Sequence, residues 1–183
     1  MVKLTRFLYN FFIVFLLLYI FFHAVDFYFL KKLVVDLSFA ILRLLNSSVT
    51  VEDLTILSPD VSFTIVTSCT GIVSFSIFSG LIYATPIKSP RRKLLYILLS
   101  FPIFFCWNVM RVVMTLCVGG RLVYFFHNFF WMFSVGIILF LYFLVMRREE
   151  VYLGKVECPV CGKEFETLDE LHHHEEEHKK KKE

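Results

Sequence analysis

Residues 94–118 read LLYILLSFPIFFCWNVMRVVMTLCV, and this stretch decides the fold class. At a rise of about 1.5 Å per residue, a helix of this length extends for about 37 Å, more than the roughly 30 Å thickness of a bilayer's hydrocarbon core. Arg111 is its only charged side chain. The stretch therefore predicts a transmembrane helix that carries a single cation at membrane depth.

Three further apolar runs surround this helix, at residues 7–22, 71–85 and 122–146. The first run follows two basic residues, as in a signal peptide, but it lacks a small-residue cleavage site, so we expect an uncleaved span. Residues 31–45 mix apolar and charged side chains at helical spacing, which is typical of an interfacial helix or a short extra membrane helix. We expect an all-α integral membrane protein, a small bundle of about four to five transmembrane helices.

Composition supports this class. Hydrophobic residues make up 57% of the 183 residues and charged residues only 19%, with a formal net charge of +3. A soluble domain is about 45–50% apolar and about 25% charged. A soluble globular protein, a disordered chain and a nucleic-acid binder that relies on overall basicity are therefore excluded. The five cysteines are spread along the chain and do not form the dense framework of a small disulfide-rich domain.

The basic residues predict the orientation. Lys3 and Arg6 precede the first span, residues 87–93 are basic without an acid, and Arg147 and Arg148 end the last span. Short basic segments stay in the cytoplasm. We therefore expect a multi-pass plasma-membrane protein with cytoplasmic N- and C-termini. Residues 46–68 would lie outside as short extended pieces around a Ser-Pro-Asp turn at 58–60, and a Gly-Gly-Arg turn at 119–121 would join the last two spans on that side.

Three polar side chains, Cys69, Arg111 and His127, are predicted to reach one layer of the outer leaflet. Helical rise places them about 24, 25 and 28 Å above the cytoplasmic ends of their spans. An arginine at the membrane centre costs at least about 2.5–3.5 kcal/mol on insertion scales, so such a residue usually faces a polar interior. The alternatives are that Arg111 snorkels to the interface, and that a lone cysteine or histidine merely packs.

A cysteine, an arginine and a histidine together can perform acyl transfer. The thiol becomes a nucleophile when it loses its proton, which a neighbouring histidine can accept. A neighbouring arginine favours the thiolate or stabilises an oxyanion during attack on a carbonyl. This chemistry proceeds through a thioester and needs no metal or cofactor for catalysis.

Several short motifs resemble the exosortase/archaeosortase family. They are TSCTGI at residues 67–72, the basic loop at 86–93 followed by Tyr96, NVMR at 108–111, and HN at 127–128. The resemblance covers roughly residues 61–146 and implies a membrane cysteine protease or transpeptidase. By motif match, Cys69 would be the nucleophile, Arg111 the stabiliser and His127 the base. Thr70 stands where the family usually has serine, and the chain has fewer spans than many members.

The resemblance also implies substrates and a source. Such enzymes cleave C-terminal sorting signals of secreted or surface proteins at the outer membrane face and transfer the proteins to a lipid-type anchor. The partners would be membrane-anchored substrate proteins and a lipid acceptor, in an archaeal or bacterial cell. Protease and transpeptidase share the acyl-enzyme step, so the sequence leaves both open.

Three neighbouring residues are candidates for supporting roles. Asn108 lies one helical turn before Arg111 and would orient it, or it is a satisfied intramembrane amide. Ser68 and Thr70 would donate to an oxyanion, or they cap the following helix. A disulfide between Cys69 and Cys117 would instead make this a redox protein, although no C-x-x-C motif is present there.

The tail contains a second motif, C-x2-C-x3-F-x5-L-x2-H-x3-H, with Cys158, Cys161, His174 and His178 as ligands. Two thiolates on a tight hairpin and two imidazoles one helical turn apart suit a tetrahedral structural Zn²⁺ site. The motif resembles a C2H2-type zinc finger of ββα form, which lies in the cytoplasm in the expected topology. A disordered tail rich in histidine, glutamate and lysine is the alternative.

This division predicts two domains, a transmembrane catalytic domain at residues 1–149 and a zinc finger with a lysine-rich tail at 150–183. DNA binding is not expected, because the finger's helix is acidic and repels phosphate. A cytoplasmic protein partner is the expected role of the finger. The competing hypothesis for the whole chain is a non-enzymatic membrane scaffold that recruits this partner.

Overall fold

The structure is a computed structural model. It describes residues 2–45, 48–59, 61–87, 89–118, 123–149, 156–158, 160–161, 163–165, 170–174 and 178. The helices are α1 (Val2–Ala24), α2 (Tyr28–Leu44), a 3-10 helix η1 (Thr67–Thr70), α3 (Ile72–Ala84), α4 (Pro90–Val118) and α5 (Val123–Arg148). The strands are β1 (Thr50–Glu52), β2 (Thr55–Ser58), β3 (Val61–Thr64), β4 (Val156–Glu157) and β5 (Glu164–Phe165).

Three of the helices in the described part of the chain are long and apolar enough to cross a membrane. They are Leu4–Ala24, Pro90–Val118 and Phe125–Arg148. The predicted span at 71–85 forms α3, which has 13 residues and is about 20 Å long at the usual rise. By length the structure therefore supports three spans, fewer than the four to five expected, and α3 is too short to cross a bilayer alone.

The short helix α3 is nevertheless the centre of the bundle. It packs against α1, α4 and α5, and most of its side chains are buried. A Cβ atom at Gly80 would lie only 3.0 Å from the ring of Phe11 on α1, so the glycine permits the close approach of the two helices. Ser74, Ser76 and Ser79 are also buried. The prediction that small residues allow close helix packing here is confirmed at Gly80.

Helix α4 begins earlier than residue 94, because Pro90 is its first residue. Proline suits this position, where its missing N–H has no helical partner. The predicted basic loop therefore lies partly in the first turn of α4. Pro102 lies inside the continuous helix. The Gly-Gly-Arg turn predicted after α4 falls outside the described residues.

Polar contacts join α4 to α5 and to Glu149, the residue that follows α5, and they include an ion pair between Arg92 and Glu149 at 3.3 Å. The indole N–H of Trp107 donates to Ser134 Oγ at 2.8 Å. Nearer the other end, Tyr96 Oη donates to Glu149 Oε1 at 2.6 Å, and the Glu149 side chain is only 6% exposed. Buried polar groups need such partners, so these contacts fix the two helices against each other.

The strands β1, β2 and β3 form an antiparallel sheet in that order. Val51 pairs with Ile56, and Ile56 pairs with Phe63 on its other side. The prediction of short extended pieces in this segment is confirmed, with β2 ending at Ser58 and β3 beginning at Val61. Asp60 of the predicted Ser-Pro-Asp turn falls outside the described residues. Helix α2 packs against β1, β2, η1 and α4. It does not qualify by length as a span among the described residues, and its buried side chains line one face.

Candidate active site

Cys69 lies on η1, the tight turn between β3 and α3. Its backbone N–H donates to the carbonyl oxygen of Val66 at 2.8 Å, and the Thr70 hydroxyl donates to the backbone carbonyl oxygen of Thr67 at 2.7 Å. These bonds close the turn without any contribution from the Cys69 side chain. Cys69 is 3% exposed and is a free thiol.

Gly71 joins η1 to α3 and holds the turn against α4. Its φ of +84° lies in the left-handed region, which glycine adopts without steric cost. A Cβ atom here would lie 2.6 Å from the backbone oxygen of Phe104 on α4. The glycine is therefore required twice, once for its dihedral angle and once for the approach that brings Cys69 to α4.

Arg111 extends from α4 toward this turn. It is 3% exposed, and its guanidinium lies within hydrogen-bonding reach of the Cys69 thiol. Among the described residues its Nε has no hydrogen-bond partner. A buried cation without an acidic partner is costly, so its position beside a thiol calls for a functional explanation.

His127 stands near the start of α5, close enough to Arg111 for the arginine's charge to act on it. It is half-buried. Its ring lies against Phe63 of β3, with 5.4 Å between the ring centroids, and its Nδ1 has no hydrogen-bond partner within the described chain. The structure thus places Arg111 beside the Cys69 thiol, and His127 within electrostatic range of Arg111, with the three side chains supplied by η1, α4 and α5.

The three candidate supporting residues have different surroundings. Asn108 is 1% exposed; its Nδ2 donates to the Phe104 oxygen at 2.9 Å, so this bond stays within its own helix. Its Oδ1 has no partner in the described part of the chain, and no hydrogen bond joins it to Arg111 there. Ser68 is exposed beside Cys69, whereas Thr70 is buried and bonds within the turn. Neither side chain caps α3, whose N-terminus has no side-chain cap.

Phe63 is a neighbour of the site that the sequence did not reveal. Alternating hydrophobicity predicted that residues 46–68 are extended, but it does not say which distant helix a strand side chain meets. The half-buried positions of β3 are Val61 and Phe63, and the pairing of Phe63 with His127 spans 64 residues of sequence. Cys117 is exposed and free, as Cys69 is free, so the structure contains no bond between them.

A family model described as transmembrane exosortase matches residues 4–147, about four fifths of the chain. The chain belongs to the transmembrane exosortase family. Comparisons with curated proteins and with solved structures gave no match. Family membership suggests a membrane sorting transpeptidase that uses a cysteine, and the membrane location agrees with the three long apolar helices. The matched region contains Cys69, Arg111 and His127.

The tail of this exosortase lies outside the match and contains a separate cluster of potential metal ligands. The Sγ atoms of Cys158 and Cys161 and one ring nitrogen each of His174 and His178 all lie within 4.8 Å of one another. Cys161 Sγ is 3.1 Å from His174 Nε2, and His178 Nε2 is 3.0 Å from the same nitrogen. Four soft or borderline donors that converge in this way fit the tetrahedral coordination that Zn²⁺ prefers.

The residues around the cluster form the minimal support that such a site needs. The strands β4 and β5 pair, and the Cys158 N–H donates to the Lys163 oxygen at 2.8 Å, which closes the cysteine hairpin. The Phe165 ring lies 4.7 Å from that of His174, and Leu171 is buried. His172 and His173 are exposed and take no part in the cluster.

Proposed function

We propose that this protein cleaves C-terminal sorting signals at the outer membrane face through a thioester on Cys69, and transfers the cleaved protein to a lipid-type acceptor. The observation that supports it is the position of the buried Arg111 guanidinium beside the Cys69 thiol, with His127 within electrostatic range of Arg111. The contact lies within the family match, and a thiol flanked by a fixed cation and an imidazole is suited to attack a carbonyl.

The three side chains have distinct roles in the proposed reaction. His127 accepts the thiol proton as the Cys69 sulfur bonds to the scissile carbonyl carbon. Arg111 stabilises the negative charge on the carbonyl oxygen, a role in which a preorganised donor contributes about 10²–10³ in rate. The C–N bond then breaks, and His127 returns the proton to the leaving amine. The product is a thioester between Cys69 and the substrate's new C-terminus.

The second half of the reaction releases the thioester. A hydroxyl or amine on the lipid-type acceptor gives its proton to His127 and bonds to the thioester carbon, and the Cys69 sulfur leaves and regains the proton. Water in place of the acceptor would give hydrolysis. In the proposed orientation, the N- and C-termini lie in the cytoplasm and the exposed Val66 and Ser68 border the site on the outer side.

The test compares variants in cells that produce a membrane protein with a C-terminal motif, an apolar span and a basic tail. We expect Cys69→Ala and Arg111→Ala to insert normally and to lose processing by at least about 100-fold. Cys106→Ala is the matched control, because Cys106 is exposed on α4, and it should process normally. Mass spectrometry of Cys69 should reveal the trapped acyl group. Full processing by Cys69→Ala would contradict the proposal.

We also propose that the tail binds one structural Zn²⁺ through Cys158, Cys161, His174 and His178 and recruits a cytoplasmic protein partner. The convergence of the four ligand atoms supports the metal site. Metal analysis of the purified protein should give about one zinc per chain, and Cys158→Ser should remove it, while His172→Ala should retain it. If Cys158→Ser abolishes the protein's function in cells but Cys69→Ala does not, the non-enzymatic scaffold hypothesis would replace the enzyme hypothesis.

A further inference from the structure

Strand β3 is an edge strand of the outer sheet. The sheet order is β1-β2-β3, and β2 is the only strand in the described part of the chain that pairs with β3. Its sequence, Val-Ser-Phe-Thr at 61–64, has no charge and no proline. Proteins commonly protect an edge strand with charged residues or proline, because its unpaired backbone groups can bind other extended chains. The edge of β3 has neither protection.

The register shows which backbone groups face that edge. The Ile65 N–H donates to the Leu54 oxygen at 2.8 Å, so this cross-strand pair is of the hydrogen-bonded type. Hydrogen-bonded and non-hydrogen-bonded pairs alternate in antiparallel strands. Phe63 opposite Ile56 is then hydrogen-bonded to β2, whereas Ser62 and Thr64 direct their N–H and C=O groups away from β2. Both of these residues are exposed.

The same edge continues into the candidate active site. Strand β3 ends five residues before Cys69, and the chain between them runs through Ile65 and the exposed Val66 into η1. Phe63, between the two outward-facing residues, contacts the His127 ring. A peptide paired with Ser62 and Thr64 would therefore lie in the plane of the sheet, about 4.8 Å from β3, and extend toward Cys69, with His127 on the face of the sheet that Phe63 covers.

We propose that the edge of β3 binds the substrate's main chain just before the scissile bond, as an added parallel strand. This rests on the proposed role of Cys69 as the nucleophile. The parallel direction follows from β3 itself, which runs toward Cys69. Main-chain pairing supplies affinity that is independent of side chains, and it holds the scissile carbonyl near the thiol, which raises the rate by orientation. The ligand is an extended peptide segment.

The probe is a tetrapeptide chloromethyl ketone of sequence Thr-Val-Thr-Val, which alkylates a thiol without any acyl transfer. Its rate of reaction with Cys69 in the full-length protein is compared with that of an acetyl-valine chloromethyl ketone. We expect the tetrapeptide to react at least about tenfold faster, the effect of one to two net hydrogen bonds. Ser62→Pro removes an outward N–H and should lose this advantage, while Ser62→Ala should keep it.

Two further measurements distinguish the loss of peptide pairing from damage to the site itself. Proline is tolerated on edge strands where its N–H would face away from the sheet, and N-ethylmaleimide should label Cys69 equally in Ser62→Pro and Ser62→Ala if the site is intact. On the wild-type protein, N-methylation of alternate peptide nitrogens should slow alkylation, and methylation of the others should not. This second measurement decides the matter even if Ser62→Pro does not fold.

Several outcomes would overturn the inference. They are an equal rate for the two ketones, an unchanged advantage in Ser62→Pro, an N-methyl scan without alternation, or a dimer that Ser62→Pro dissociates, which would mean that β3 pairs with a second copy of the chain. Failure of the proposed function is separate. In that case the tetrapeptide would still accelerate alkylation of Cys69, but Cys69→Ala would process substrates normally.

Discussion

The Arg111 side chain is nearly fully buried although a guanidinium is always charged. Its Nε has no hydrogen-bond partner among the described residues, and a thiol is its neighbour. Packing alone would be served better by an apolar side chain, because replacing a buried charge by a hydrophobic residue of similar size is often neutral or stabilising. The stability of the fold therefore does not explain the arginine, whereas the proposed stabilisation of a developing oxyanion would explain it.

A substitution can separate these two explanations. We expect Arg111→Met to unfold thermally at the same temperature as the wild-type protein or higher, and to lose substrate processing by at least about 100-fold. Tryptophan fluorescence in detergent measures unfolding, and the cleavage assay measures processing. A marked fall in thermal stability together with normal processing would mean that Arg111 is structural. Arg111→Lys keeps the charge but lacks the planar guanidinium, so it should process at an intermediate rate.

Much of the candidate site could be predicted from local features of the sequence. Cys69, Arg111 and His127 stand out because they are polar residues in apolar surroundings, and helical rise alone predicts a similar depth in the membrane for all three. Rise along a helix does not give its rotation, so the contact of Arg111 with the Cys69 thiol needed the structure. The bond of Asn108 to Phe104 rather than to Arg111 was equally inaccessible, because a helical amide has several partners within reach.

At the scale of the elements, the joint between η1 and α3 positions Cys69, the proposed nucleophile. Gly71→Ala should destabilise the protein by about 2 kcal/mol or more, because alanine at φ +84° is strained and its Cβ would overlap the Phe104 oxygen at 2.6 Å. Gly136→Ala on α5 is the matched control, since a Cβ there meets nothing within 4 Å, and alanine is the better helix former. Thermal unfolding should separate the two, and equal stability would show that the joint relaxes freely.

The element boundaries show where sequence patterns lose information. The apolar run at 71–85 has the composition of a span, and α3 covers nearly all of it, from Ile72 to Ala84, before Pro86. The run itself is shorter than the roughly 20 residues that a span needs, and Gly71 and Pro86 leave α3 no room to lengthen. Proline disfavours helical geometry in the residue before it. Conversely, Pro90 and the basic residues after it look like a loop, yet proline in the first turn is compatible with a helix, so α4 includes them. Hydropathy cannot distinguish these cases, since capping geometry decides them.

For the molecule as a whole, the net charge of +3 is a sum over regions of different sign. The first turn of α4 contains Arg91, Arg92 and Lys93 without an acid, whereas the sheet formed by β1, β2 and β3 has Glu52 and Asp53 without a cation in its described residues. This separation along one chain predicts that α4 begins in the cytoplasm and that the sheet lies outside. The same orientation places η1 outside and the cysteine-rich tail in the reducing cytoplasm, where thiols remain available for a metal.

The orientation can be tested with single reporter cysteines, because a membrane-impermeant maleimide reaches only thiols on the outer side of an intact cell. In a background in which all five native cysteines are replaced (Cys69→Ala, Cys106→Ala, Cys117→Ala, Cys158→Ser and Cys161→Ser), we expect Thr50→Cys to be labelled in intact cells, since Thr50 is exposed in β1. Arg91→Cys, exposed at the start of α4, should be labelled only after the membrane is permeabilised. If Arg91→Cys is labelled in intact cells and Thr50→Cys is not, the topology is the reverse of the expected one. Cys69 would then face the cytoplasm, where a substrate that has already been exported could not reach it.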